Sequence, residues 1–457
     1  MLALRADTEP PIPQEISDIT ISFLKADRAS LKNCGLVCRS WLLSSRCYLF
    51  QTIELDHSNI DTFSSLVVST YSTIPPFVRR LKLAPGDRQG HRWFRRILPF
   101  LQFFKSVTWI ALENLDWTWI KCPARSEFFS CFQSSLTELE LKNLDFPMFR
   151  DVVDVVCESS SLVTISLTNI SWTSGSPPLP LSSPASTDQS GSPRLPELKC
   201  PSLKKLIVRD CQIRPIFSWL LSHTSIPVIP SLEVGPISER DTMSFGRYLH
   251  SVNKGLLHLR MSFKTGGIDH ACYADTRPIP NHSASEEPPI HDLTSQVVDQ
   301  HQIDLEAAQK LYGPMEDELI NLQGGTICDN LASLTGLRTL YLEAFIAHTD
   351  VERSSATVWA PRVVLSIKSL HLHTLTLDIS LSRAGEVDAH PINWHLFDRI
   401  LTEGRKERLK RVEVKYGGSI KHDAIKQLIS SRWPVCQSTG KLHFISMGRS
   451  EAIGGRV

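Results

Sequence analysis

The chain has 457 residues, 42% of them hydrophobic and 21% charged, which describes a folded protein with ample material for a large core. Lys and Arg total 49 against 48 for Asp and Glu, so no global charge argues for nucleic acid or an anionic membrane surface as partner. No run approaches the roughly 18 apolar residues of a spanning helix, MLALRADTEPP lacks the succession of a signal peptide, and eleven cysteines without paired short spacings fit a thiol-reducing cytoplasm or nucleus.

Residues 1–10 are expected to be disordered. From Ile12-Pro13 a first helix is predicted, with Ile16, Ile19 and Phe23 three or four residues apart. Pro13 costs little at a helix opening, where the amide it lacks would be unpaired. Asp27 is the expected N-cap of a second helix, along which Leu31, Cys34, Val37, Cys38 and Trp41 form one apolar stripe. About forty residues bury too little surface to be stable alone, so these helices lean on the following domain or on a partner.

The segment from Ile12 to Leu55 resembles an F-box. The signature Leu-x-x-Cys-x-x-Val-Cys-(Arg/Lys)-x-Trp is filled by Leu31, Cys34, Val37, Cys38, Arg39 and Trp41, while Ile12 stands where a leucine is usual. The resemblance implies a three-helix F-box over 11–50 that docks a Skp-type adaptor and, through it, a cullin scaffold. It assigns Ile12, Pro13, Ile16, Leu31, Cys34, Val37 and Trp41 to the adaptor-docking surface or its support.

A repeat follows, with apolar residues at i, i+3 and i+5 and often another at i+8. Its copies start at Val78, Val107, Leu136, Leu162, Leu203, Ile229, Leu256, Leu337, Leu372, Leu409 and Leu442, at intervals of 29, 29, 26, 41, 26, 27, 81, 35, 37 and 33 residues. Positions i+3 and i+5 share one face of a strand and i+2, i+4 and i+6 the other. Stacked copies therefore bury a continuous core. The stretch DFPMFRDVVDVVCESS, with Phe149, Val152, Val153, Val156 and Cys157 at helical spacing, is a return helix. Four copies end in Asn114-Leu115, Asn143-Leu144, Asn169-Ile170 and Asp210-Cys211, where Asn or Asp suits a turn because its side chain can bond nearby backbone.

The pattern resembles degenerate leucine-rich repeats of F-box proteins. The expected fold class is α/β: the F-box, then over 51–457 a leucine-rich-repeat-like solenoid or horseshoe with parallel strands on the concave face and helices outside. Segments 171–197 and 264–292 are Ser/Pro-rich or otherwise low in large apolar residues and are expected as loops. A helix is expected near 294–323. The long gap before Leu337 leaves open an insertion or further repeats.

Catalytic motifs are missing: GxGxxG, GxxxxGK(S/T), GxSxG and HExxH do not occur. His371 and His373 share a strand face without an evident third metal ligand. The aromatic group Trp93, Phe94, Phe100, Phe103, Phe104, Trp109, Trp117 and Trp119 has the spacing of core residues, and the basic run at 404–411 reads as a solvated helix end. No catalytic residue, metal or cofactor is assigned. On the exposed strand face Arg80, Lys82, Lys205, Arg209, Arg260 and Tyr341 are candidate contacts to a protein substrate, and the five cations would suit a phosphorylated segment if clustered. The combined expectation is a non-catalytic substrate receptor of an SCF-type ubiquitin ligase, with no nucleic acid or membrane partner. The alternative is a leucine-rich interaction scaffold outside ubiquitination.

Overall fold

The computed structural model describes residues 13–69, 71–85, 90–120, 122–174, 200–263, 327, 330–346, 360, 363–381, 394–402, 408–418 and 420–447. The chain divides into two compact units, Met1–Gly235 and Pro236–Val457. The calls for 1–10, 175–197, 264–292 and 294–323, and residues 404–407 of the basic run, lie outside the described residues.

The first unit opens with three helices, α1 (Gln14–Ser22), α2 (Arg28–Cys34) and α3 (Arg39–Phe50). α1 and α2 both pack on α3. Asp27 caps α2 as expected: its carboxylate accepts from the amides of Ala29 and Ser30 at 3.0 and 3.1 Å. The single apolar stripe from Leu31 to Trp41 does not form, because α2 stops at Cys34 and α3 starts anew at Arg39, with Cys38 extended just before it. Leu31 and Cys34 are buried, whereas Val37 and Cys38 in the break face outward. Phe23 likewise falls one residue beyond α1, at its C-terminal cap.

The repeats follow as strands β1 (Thr52–Leu55), β2 (Arg80–Leu83), β3 (Trp109–Glu113), β4 (Glu138–Met148), β5 (Thr164–Ser174), β6 (Lys205–Arg209) and β7 (Ser231–Ile237). Neighbours pair parallel in chain order. β1 was not among the expected copies; TIEL carries the alternation but follows α3 directly, without the leading apolar residue of the template. Helices α4 (Ile60–Val68), α5 (Gly90–Leu101), α6 (Cys122–Ser130), α7 (Phe149–Cys157) and α8 (Ile213–Leu221) return the chain between strands. Period-two alternation sends Leu81, Leu83, Ile110, Leu112, Leu139, Leu141, Leu206 and Val208 into the core, each no more than 3% exposed. Parallel β-strands with helical returns and a leucine-rich interior make this a leucine-rich-repeat-like α/β fold.

Aromatic residues fill the space between strands and helices. Phe94 lies 5.1 Å from Phe128, and Trp117 lies 5.5 Å from Phe146. Trp93, Phe94, Phe104 and Trp117 are core, as expected, while Phe103 is 46% exposed.

Two expectations need correction. β4 and β5 do not end at Asn143 and Asn169 but bend there and run on to Met148 and Ser174. Residues 171–174, assigned to a loop, therefore belong to β5. The reason for Asn is also different. Asn114, Asn143, Asn169 and Asp210 have φ of 57, 52, 51 and 52°, the left-handed region that short polar residues tolerate best after glycine. The asparagine amides bond one another rather than nearby backbone, Asn169 to Asn143 at 2.9 Å and Asn143 to Asn114 at 2.8 Å.

In the second unit β8 (His258–Phe263), β9 (Thr339–Ile346), β10 (Thr374–Leu381), β11 (Arg411–Gly418) and β12 (Leu442–Ser446) also pair parallel in chain order. His258 of β8 pairs with Thr339 of β9, so these two strands are direct neighbours across the long gap in the repeat. Helices α9 (Glu239–Val252), α10 (Trp394–Thr402), α11 (His422–Arg432) and α12 (Pro434–Ser438) belong to this unit. Asp398 is wholly buried and caps α12 by accepting from the amides of Val435 and Cys436 at 2.8 and 2.9 Å.

Candidate functional site

Two surfaces stand out, the N-terminal helices and the helix-free face of the repeat sheet. On the helices, large apolar side chains are exposed in unusual density: Ile16 51%, Ile19 54%, Phe23 81%, Leu36 86%, Val37 64% and Leu43 60%. A short helical module would ordinarily bury such residues to offset its ordering entropy. The module is held in place from beneath instead. Leu31 is 0% and Ile21 0% exposed, α3 packs on β1 and on the turn Pro75–Phe77, and Arg46 donates to Thr73 Oγ1 at 2.7 Å. α1 is tied to α3 through Ser44, which donates to Asp18.

The seven residues drawn from the F-box resemblance separate accordingly. Ile16 and Val37 are on the surface, Pro13 is exposed at the start of α1, Trp41 is half-buried in α3, and Leu31 and Cys34 form the support beneath. Ile12 lies outside the described residues. Ile19, which belongs to the helical pattern of α1, and Leu36 and Leu43, which the resemblance does not assign, join the exposed set. Their signal in the sequence was an apolar residue off the buried stripe.

On the sheet, the outward residues of successive strands pair into ion ladders. Lys82 binds Glu54 at 2.7 Å and Glu113 at 3.0 Å, and Glu113 also binds Lys142 at 2.8 Å. Burial alone would raise the Glu113 carboxyl, but the ammonium groups of Lys142 and Lys82 outweigh it and hold the group below its ordinary range. The Glu54 carboxylate, opposed by partial burial and helped by Glu113, holds Lys82 above its ordinary value. Arg80 stacks over Trp109, its guanidinium carbon 4.1 Å from the ring centroid. Further along, Lys205 and Arg209 both bind Glu233, at 2.7 and 3.1 Å.

Between these ladders lies a shallow depression of about 440 Å³. Trp109 of β3 and Glu138 and Glu140 of β4 line one side, Thr164, Ser166 and Thr168 of β5 the floor, and Lys205, Arg209 and Glu233 the other side. The four candidate cations of this unit are thus distributed over β2 and β6, each engaged with a carboxylate or an indole, rather than gathered into one phosphate pocket. The three hydroxyl residues of β5 were not singled out from the sequence; they alternate outward in TISLT, and only the register sets them between β4 and β6.

In the second unit Arg260 binds Glu343 at 2.9 Å, and its guanidinium carbon sits 4.2 Å over the Tyr341 ring, which Lys415 also approaches at 5.1 Å. His258 donates to or accepts from Thr339 Oγ1 at 2.8 Å, and burial, with Arg338 and His373 nearby, lowers its proton affinity. His371 and His373 are exposed, and among the described residues no group of three His, Cys, Asp or Glu could hold a metal ion. No helix among the described residues is long and apolar enough to cross a membrane.

No protein-family model matches the chain, and no curated protein matches it either. Among solved structures it is similar to the leucine-rich repeat-containing protein LegL7 from Legionella pneumophila, at 11% identity, covering 84% of this chain and 98% of that one with a TM-score of 0.41.

Proposed function

We propose that this chain is the substrate-recruiting subunit of an SCF-type (Skp–cullin–F-box) E3 ubiquitin ligase. The observation that carries the reading is the exposed apolar set on α1 and around the α2–α3 break, Ile16, Ile19, Leu36 and Val37, within the segment whose Leu31-to-Trp41 spacing resembles an F-box. An adaptor of the Skp type covers that surface and carries the cullin. The leucine-rich-repeat-like sheet is in character a protein-interaction scaffold, and it holds the target. The chain contributes proximity: a target lysine held beside a ubiquitin-charged E2 reacts in an effectively unimolecular step.

Purified full-length chain is to be mixed with recombinant Skp-type adaptor and the complex resolved by size-exclusion chromatography. A co-eluting complex is the expected result, and separate elution at micromolar concentrations overturns the reading. Adaptor-dependent ubiquitination of proteins captured by the repeat sheet then distinguishes a ligase receptor from a scaffold working outside ubiquitination.

A further inference from the structure

We infer that the strand-entry edge of the second unit is a docking surface for an acidic segment of a partner protein, a run of consecutive Asp and Glu residues. The edge is distinct from the sheet face already described, and the inference stands independently of adaptor docking.

The segment leading into each strand of this unit is basic: Lys254 precedes β8, Arg338 β9, Lys368 β10, Lys410 β11 and Lys441 β12. The described segments 253–258, 333–339, 366–374, 408–412 and 438–442 contain no Asp or Glu. Lys254, Arg338, Lys368 and Lys410 are exposed and Lys441 is half-buried, and among the described residues none of the five forms an ion pair. The acid next in sequence, Glu413 of β11, is already engaged by Arg411 at 2.9 Å and by Thr376 at 3.0 Å.

The hydrogen-bond ladder spaces these charges. The amide of His373 donates to the carbonyl of Arg338 and that of Lys410 to the carbonyl of His373, each at 3.0 Å, and the amide of Val412 donates to the carbonyl of Lys441 at 2.8 Å. Arg338, His373, Lys410 and Lys441 thus occupy successive rungs about 4.8 Å apart. In the first unit the three central rungs, Thr108, Thr137 and Val163, carry no charge. The basic edge is also held in place. Ser369 Oγ donates to the carbonyls of Thr335 and Leu337 at 2.9 and 2.7 Å, and Gly336 lies so near Lys254 that an added Cβ would stand 2.2 Å from its carbonyl oxygen. Like charges fixed side by side repel, and an anionic partner relieves that repulsion. His258 feels the same field, since after burial it is Arg338 and His373 that lower its proton affinity.

From Arg338 to Lys441 is three inter-strand steps, about 14 Å. An extended chain advances about 3.3 Å per residue and turns alternate side chains to one side, so about six consecutive acidic residues cover the row and present three carboxylates to it, whichever side they turn. A single phosphate is best held by cations converging on one point, whereas these stand one per rung. Single-stranded nucleic acid gains from aromatic platforms for its bases, and the described segments of this edge hold no Phe, Tyr or Trp. Leu370, 50% exposed between Lys368 and His371, instead offers contact to the aliphatic part of a protein segment.

The test titrates full-length protein into fluorescein-labelled probes and follows anisotropy: a dodecapeptide with six central Glu, the same peptide with six Gln, one with a single phosphoserine, and a twelve-nucleotide oligothymidylate. The six-Glu peptide is expected to bind most tightly. Arg338→Glu/Lys410→Glu should weaken it about tenfold and the milder Arg338→Gln/Lys410→Gln about threefold. Lys105→Glu/Lys204→Glu makes the same change in net charge on the first unit and should leave binding within about twofold. All of these positions are exposed, so thermal melts close to wild type are expected. Equal losses in the two charge-reversed pairs, tighter binding of the phosphoserine peptide or the oligonucleotide, or no difference between the six-Glu and six-Gln peptides overturns the proposal. Adaptor binding is read on the same proteins. Retained adaptor binding with failed peptide binding refutes only the edge assignment, whereas peptide binding without adaptor binding refutes only the ligase reading.

Discussion

Replacing Ile16 and Ile19 together by Ala probes the docking surface without touching the fold that supports it. The two side chains are 51% and 54% exposed and lie three residues apart on α1, so they occupy one face. Burying an isoleucine completely contributes about 1.5–3 kcal/mol. Roughly half of each side chain is left for a partner to cover, so each truncation removes about 1 kcal/mol of docking energy, and the pair about 2 kcal/mol, or roughly thirtyfold in Kd. Stability changes by no more than about 0.5 kcal/mol, because exposed positions contribute little and Ala is the better helix former. The assay is calorimetric titration of recombinant Skp-type adaptor into wild type and the double variant, with thermal melts of both free proteins. Leu31→Ala is the contrasting control: it is 0% exposed, so its loss removes about 2–5 kcal/mol of stability and abolishes docking by disordering the module. A double variant that melts like wild type and binds the adaptor within twofold of it would refute the assignment of this face.

Asn143 tests the amide ladder. Asn143→Gly loses the bonds to Asn114 and Asn169 and costs about 1–2 kcal/mol, whereas Asn143→Val adds the strain of a β-branched residue at φ 52° and costs about 2–4 kcal/mol; equal melting temperatures for the two would contradict the left-handed explanation. Gly418 has φ +108°, and a Cβ there would lie 1.9 Å from the carbonyl oxygen of Leu381, so Gly418→Ala is expected to separate the ends of β10 and β11 and destabilise by more than about 2 kcal/mol. A urea midpoint unchanged by Gly418→Ala would be the contrary result. Glu113 supplies a pH test. Its carboxyl is held below the ordinary 4.5, so its contribution is present at neutral pH and is lost as pH falls below 4.5 through the folded value. Melting curves of wild type and Glu113→Gln should therefore converge on acidification, and a gap that stays constant between pH 7 and pH 3 would rule out the linkage.

Much of the fold was legible because β-sheet geometry is local. Side chains alternate along a strand, so Leu-x-Leu fixes which residues turn inward wherever the strand forms, and the eleven template copies all became strands. The docking surface was legible only in part. Leu31 and Val37 belong to one signature in the sequence, yet one is buried and the other exposed, because the chain breaks after Cys34 where Gly35 stands and the next helix starts anew at Arg39.

The amino-acid sequence by itself determined the repeat, the faces of its strands and the cap at Asp27, since each depends on interactions within a few residues; that Asn114, Asn143, Asn169 and Asp210 are left-handed came from the structure. Only the tertiary structure decided which charges meet. Glu233 pairs with both Lys205 and Arg209, and Glu113 bridges Lys82 and Lys142, because residues a whole repeat apart become strand neighbours about 4.8 Å from each other. The same stacking sets Glu138 and Glu140 of β4 in one depression with Lys205, Arg209 and Glu233. Those pairings are invisible in composition, where acid and base nearly cancel, because composition carries no register.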